Sequence, residues 1–254
     1  MKANHAYCPV TTHVTTLGEQ RLHYRKAGSG PPLVLIHGYG VSGQMWSRCL
    51  PYLARERQVY MVDLPGHGRS TMSGAWRLRD VAPVLAQWLR TLALPPAALL
   101  GHSMGGAIAV HLAAHAPELI ERLVLVDAAC LPFAEALPVI ISRSAHSMLQ
   151  RGAGSYPLTM LRDILKPRLR LLWQTAQEIH SSDFQAEIAS LTLPILIIWG
   201  ERDILLPLAL GKTLAEMVPH ATFVTMPKSG HRPPLSQPAE FSRLVLDFLS
   251  SSNV

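Results

Sequence analysis

Four apolar runs, Pro32–Ile36 (PLVLI), Val59–Asp63 (VYMVD), Leu123–Asp127 (LVLVD) and Ile195–Trp199 (ILIIW), constrain this chain more than any other feature. Each is too short for a packed helix and too continuously apolar for a strand with one wet face. Strands of a parallel sheet covered by helices read this way, because both of their faces are buried. Ala97–Gly101 and Thr222–Met226 fit the same role, and Thr12–Thr16 with Arg21–Lys26 reads as an opening hairpin. Helical stretches alternate with these runs at about 44–55, 78–92, 104–116, 208–217 and 238–250, which predicts an α/β fold. The last helix has Ser236 as its candidate cap and Pro238 in its first turn, where a missing N–H costs little. With 254 residues, 48% hydrophobic and 16% charged, the chain can bury one large core and is not disordered.

One segment interrupts the alternation. From Cys130 to Leu193 there is no convincing strand, only helical stretches separated by breakers such as Gly152-Ala-Gly154-Ser155 and Lys166-Pro167. Ser182-Asp183-Phe184-Gln185 has the spacing of a capping box. The expected organisation is a core of residues 1–129 and 194–254 with a helical cap, 130–193, inserted as a lid. It would lie over the sheet edge where strand-to-helix loops of such folds carry their sites.

The first thirteen residues, MKANHAYCPVTTH, have neither the apolar stretch nor the small-residue cleavage signal of a secretory peptide. No run is long enough to span a bilayer. Cys8, Cys49 and Cys130 are odd in number and scattered, which suggests reduced thiols and a cytoplasmic address. The formal net charge of +6 is accompanied by no nucleic-acid-binding motif, so neither nucleic acid nor a membrane is the expected partner.

Gly101-His102-Ser103-Met104-Gly105-Gly106 stands between a predicted strand and the helical stretch AIAVHLAAH. G-x-S-x-G in that setting is a nucleophile elbow: a strained turn exposes the serine hydroxyl, and glycines on either side leave room for it. A serine hydroxyl needs a base. His231, in Lys228-Ser-Gly-His231, follows the last strand and falls at the same sheet edge. Asp203, in Gly200-Glu-Arg-Asp203, follows ILIIW and is the expected carboxylate partner of that histidine; Asp127, which ends LVLVD, is its rival, and Glu201 a weaker one. The order Ser103, Asp203, His231 suits this fold. The backbone N–H groups of Met104 and of Tyr39, in His37-Gly38-Tyr39-Gly40, are the expected oxyanion donors. His111 and His115 are four apart on one helix, yet Leu112 stands where a zinc protease has glutamate and no third ligand is evident nearby. Gly38-Tyr39-Gly40 lacks the rest of a dinucleotide-binding fingerprint.

HGYG, DLPGHGRS (63–70), GHSMGG, GERD and SGHRPP, in this order, resemble the α/β-hydrolase superfamily and, within it, the small capped serine esterases. The resemblance covers nearly the whole chain except the cap. It implies an eight-stranded, mostly parallel sheet, the Ser103–Asp203–His231 triad, the Tyr39 and Met104 oxyanion donors, and a structural role for the Asp63 loop. Haloalkane dehalogenases and epoxide hydrolases of this fold use an aspartate nucleophile, and position 103 is not aspartate. The reaction implied is ester cleavage through an acyl-enzyme, without metal or organic cofactor. A lyase or perhydrolase using the same triad, or a ligand receptor that barely turns over, are the alternatives, because a fold does not fix a reaction.

The cap is basic. Between Arg143 and Arg170 stand Arg143, Arg151, Arg162, Lys166, Arg168 and Arg170, with Asp163 the only acid. Such side chains often do no more than cover a helix surface. The functional alternative is docking of an acidic partner, an acyl carrier protein, as in relatives that cleave the methyl ester of a pimeloyl-carrier protein. Arg168 and Arg170 would then meet the carrier, while Met148, Met160, Trp173 and Phe184 would line an acyl channel or else hold cap to core.

Overall fold

The computed structural model describes residues 9–72, 77–132, 139, 143 and 169–251. Eight strands form one sheet: β1 (Thr11–Leu17), β2 (Gln20–Ala27), β3 (Pro32–Ile36), β4 (Gln58–Val62), β5 (Ala97–His102), β6 (Ile120–Val126), β7 (Ile195–Gly200) and β8 (Thr222–Met226). Their spatial order is β1-β2-β4-β3-β5-β6-β7-β8. β1 pairs antiparallel with β2, and β2 antiparallel with β4; the remaining pairings are parallel.

The apolar runs are buried on both faces, and the period of two decides which side each residue serves. Val34, Ile36, Leu99, Leu123, Leu125, Ile197 and Trp199 face α2 (Leu78–Leu92) and α3 (Met104–His115). Leu33, Leu35, Val59, Met61, Leu100, Val124 and Ile198 face the opposite layer, which contains α1 (Leu50–Leu53) and the C-terminal helix. α3 is buried almost all round, so its sequence shows no polar face.

Between β6 and β7 the described chain is helical, with α4 (Leu169–Ser181) and α5 (Gln185–Ser190). After β7 come α6 (Leu208–Met217), a single turn α7 (Pro233–Ser236) and α8 (Pro238–Ser250). Among the described residues, no helix is long and apolar enough to cross a membrane.

Three local expectations are corrected. The stretch 44–55 is not one helix: a 3-10 turn, Gly43–Arg48, opens where Ser42 Oγ accepts from Gln44 N–H, and α1 restarts after Cys49 with a proline in its first turn. Ser236 does not cap the last helix, because it belongs to α7 and the cap position falls to Gln237. Ser182 is not the head of a capping box either. The cap position falls to Phe184, and Asp183 ahead of it accepts from Gln185 N–H at 3.0 Å and from the Gln185 side-chain amide at 3.2 Å, while Ser182 Oγ donates back to Ile179 O.

The site follows from the registers. Ile36 pairs with Gly101, His102 with Val126, Val126 with Ile198, and Gly200 with Met226, so these strands end along one line. The chain runs from β3 to β4 on one side and returns to β5 on the other. The crevice of such a topological switch point is where open α/β sheets place their sites.

Candidate active site

Ser103 sits between β5 and α3 with φ 53° and ψ −121°, in a region that L-residues avoid. Such a conformation costs on the order of 1–3 kcal/mol and persists only where its surroundings over-determine it. They do so here. Ser103 N–H donates to Val126 O at 2.9 Å, and Ser103 O accepts from both Gly106 N–H and Ala129 N–H. The glycines permit main chain to lie on main chain: a methyl on Gly105 would stand 2.4 Å from Ile36 O, and one on Gly101 would stand 2.3 Å from Gly105 O.

Met104 opens α3, so its N–H is one of the helix's unpaired N-terminal donors. The His37–Gly40 loop comes directly against the elbow, since a methyl on Gly38 would lie 3.2 Å from Ser103 Cβ. That loop is itself anchored. His37 is wholly buried, hydrogen-bonded through Nδ1 to Gly38 O and accepting at Nε2 from Leu64 N–H. Burial first, then the charge of neighbouring His67, pushes its pKa from 6.5 down to about 3. The Asp63 loop is structural: its carboxylate accepts from Gly43 N–H and Arg69 N–H, and Arg25 stands 3.6 Å away.

His231 Nδ1 lies 2.7 Å from Asp203 Oδ2, and both side chains are buried. The other Asp203 oxygen accepts from Leu205 and Leu206 N–H groups, which fix the carboxylate. A carboxylate acceptor makes Nδ1 the protonated nitrogen and leaves Nε2 with its lone pair free to accept a proton. The two loops that carry this pair are joined through backbone: Arg202 N–H donates to Ser229 O, and a methyl on Gly200 would stand 2.2 Å from Gly230 O. Glu201 instead points to Thr225 Oγ1 at 2.7 Å on the exposed side.

Two more buried residues stand near this pair: His102, which escaped the motif reading, and Asp127, the rival acid. His102 Nε2 donates to the carbonyl of His231 at 2.7 Å, holding the histidine's main chain while Asp203 holds its ring. Burial, then neighbouring His231, lowers its pKa well below the usual range, so it is neutral. Asp127 ends β6 wholly buried and accepts from Gly200 N–H at 2.8 Å. Potential ligand atoms of His102, Asp127 and His231 lie within 4.8 Å of one another. His102 Nε2 and His231 Nδ1 are each committed to an acceptor, while His102 Nδ1 and Asp127 Oδ2 are buried without a hydrogen-bond partner among the described residues.

Two hollows lined by described residues, of about 560 and 550 Å³, lie at the opposite end of the parallel strands and contain no member of this constellation. Of the residues expected to meet substrate, Met148, Met160 and Arg168 lie outside the described residues, as does the side chain of Arg170 in α4. Trp173 is exposed on α4. Phe184 is buried between the Arg79 guanidinium, 4.6 Å from its ring centre, and His111, 5.8 Å away; these contacts tie the segment between β6 and β7 to α2 and α3. His111 also meets Glu187 of α5 at 3.2 Å, an acid that sequence spacing gave no reason to place there. His115 Nδ1 bonds to His111 O one turn back, which turns that nitrogen away from any shared ion.

Residues 33–244 match the alpha/beta hydrolase family. The chain belongs to this family. It is 30% identical over 260 residues to a pimeloyl-[acyl-carrier protein] methyl ester esterase of Yersinia enterocolitica, covering 92% of this chain and 99% of the relative. Among solved structures it is similar to a hydrolase from Pseudomonas aeruginosa, with 25% identity, TM-score 0.79, and coverage of 94% and 98% of the two chains. A bromoperoxidase from Bacillus anthracis shares the fold at TM-score 0.84 and 22% identity, covering 95% of this chain and all of that one.

Proposed function

We propose that this α/β hydrolase cleaves a carboxylic ester by two-step acyl transfer, with Ser103 as nucleophile, His231 as general base and then acid, and Asp203 as the carboxylate that orients it. The observation that carries the reading is the 2.7 Å Asp203–His231 contact at the sheet edge where the strained Ser103 turn also ends. In the first step His231 takes the Ser103 proton as Oγ attacks the ester carbonyl. Tyr39 and Met104 N–H groups receive the developing oxyanion, and the alcohol leaves with the proton from His231. Water then repeats the sequence and frees the acid. Every proton is handled by side chains, so the scheme requires no metal or organic cofactor.

The substrate we favour is an acyl methyl ester carried on an acidic carrier protein that docks on the basic cap through Arg168 and Arg170. Support comes from the relatives bearing that activity in their name and from the basic run Arg143–Arg170. Met148, Met160, Trp173 and Phe184 remain the candidates for shaping an acyl path. A cytoplasmic address suits such a substrate, and Cys49 and Cys130 are free and buried.

The test is hydrolysis of p-nitrophenyl esters of increasing chain length beside a carrier-bound methyl ester. Ser103→Ala is expected to lose both activities by about 10³-fold or more. The charge reversal R168E/R170E is expected to weaken only the carrier-bound reaction. Equal loss on both substrates would refute carrier docking, and turnover surviving in Ser103→Ala would refute the nucleophile.

A further inference from the structure

Asp127 and Asp203 end adjacent stretches of the sheet, and the proposed acyl-transfer scheme uses only one of them. Asp127 is wholly buried, with φ 42°, a left-handed conformation that short polar side chains tolerate best. One carboxylate oxygen, Oδ1, accepts from Gly200 N–H at 2.8 Å, which ties it to the turn that carries Asp203. Asp203 N–H in turn donates to Gly200 O. The other oxygen, Oδ2, is buried and has no donor among the described residues. Its side-chain partner is a second acid, Asp203.

A lone carboxylate oxygen facing another carboxylate in a dry interior is costly, and two like charges so close cannot both ionise freely. Asp203 is already supplied with three donors: Leu205 N–H, Leu206 N–H and His231 Nδ1–H. Its two oxygens are the better supplied with donors of the pair. The proton therefore belongs on Asp127. Burial first, then the Asp203 charge, holds the Asp127 carboxyl well above the usual carboxylate range, with the Gly200 N–H pulling the other way. The titratable groups facing Asp127 are His102 from β5, Asp203 from the turn after β7 and His231 from the loop after β8.

We infer that Asp127 is a positioning residue for the Asp203–His231 pair: a neutral acid whose Oδ2–H donates to the Asp203 carboxylate, and a reserve acceptor for the His231 ring when Asp203 is lost. This rests on the triad reading above. With Asp203 truncated, Asp127 releases its proton to water as pH rises and its carboxylate accepts from His231 Nδ1–H, to which it is already within 4.8 Å of a ring nitrogen.

The experiment compares kcat/KM for a p-nitrophenyl ester, across pH 5 to 9, in wild type, Asp127→Asn, Asp203→Ala, and D127N/D203A. Asp127→Asn keeps a donor, an acceptor for Gly200 N–H and tolerance of the left-handed backbone. It is expected to stay within about threefold of wild type at neutral pH. Asp203→Ala is expected to fall by about 10²–10³-fold, short of the roughly 10⁴-fold that loss of the orienting acid can cost, with its acid limb displaced to higher pH. D127N/D203A is expected to lose at least about tenfold more and to lose the displaced limb. Asp203→Ser, whose hydroxyl can still accept from Leu205 N–H, replaces Asp203→Ala if the latter does not fold. A residual activity and pH profile unchanged by Asp127→Asn in the Asp203-truncated background would overturn the inference. No loss in Asp203→Ala would instead sink the triad reading itself.

Discussion

The sheet edge that carries Ser103 and His231 and the junction where the helices between β6 and β7 meet α2 and α3 are held by different kinds of contact. At the edge, main chain lies on main chain: Gly105 against Ile36 O and His37 O, Gly101 against Gly105 O, Gly200 against Gly230 O. At the junction, side chains reach across. Arg79 bonds the Glu187 carboxylate and Asp183 O while lying on the Phe184 ring, and Glu178 accepts from Leu78 N–H at the start of α2. Backbone contacts without intervening side chains leave no slack, whereas flexible side chains can repack. The difference teaches that the junction can repack where the edge has no room to.

The comparison breaks if a single methyl at the edge is tolerated. Gly105→Ala places Cβ 2.4 Å from one carbonyl oxygen and 2.6 Å from another, both main chain. The expected cost is about 3 kcal/mol or more, seen as a fall of about 6–12 °C in Tm. An unchanged Tm would show that the edge has slack after all.

A smaller effect comes from His37, which anchors the His37–Gly40 loop in its neutral form. Its pKa is about 3 folded against 6.5 as the ordinary value, so the unfolded chain binds the extra proton between those limits. Stability from this group is complete above pH 6.5 and is lost as pH falls toward 3. By pH 4.5 the loss is about 2–3 kcal/mol, measured by denaturant unfolding at several pH values. Asp127 has the opposite sign. Its raised folded pKa makes stability decline as pH rises from the ordinary carboxylate range through that pKa, and Asp127→Asn flattens this part of the profile.

The smallest effect belongs to the junction. Glu187→Gln keeps an acceptor for Arg79 and His111 but removes the charge from a pair whose arginine is half exposed. The expected loss is about 1 kcal/mol or less, with small-ester kcat/KM unchanged. A loss of esterase activity comparable to that expected of Ser103→Ala would erase the distinction between the two regions.

The strands and the chemistry-bearing turns were legible in the sequence because each carries a local signal. PLVLI, LVLVD and ILIIW announce burial on both faces, and GHSMGG, GERD and SGHRPP fall just past strand ends. What escaped depended on partners far along the chain. The break at Cys49 and the capture of Ser236 by α7 reflect how prolines partition short turns once α8 packs beside them. His102 meets His231 across 129 residues, and Glu187 meets His111 across 76; nothing at either position alone announces the other. Asp127 was recognised as a rival acid from its place at a strand end. That Asp203, not Asp127, takes His231 depends on which oxygen each loop turns toward the ring.

The most direct test of the central claim is rapid-quench mass spectrometry of the intact protein during turnover of a p-nitrophenyl ester, followed by peptide mapping. A transient acyl adduct on the Ser103 peptide, absent in Ser103→Ala and accumulating further when deacylation is slowed, is the predicted result. Steady release of acid with no adduct at Ser103, or an adduct on another residue, would contradict it.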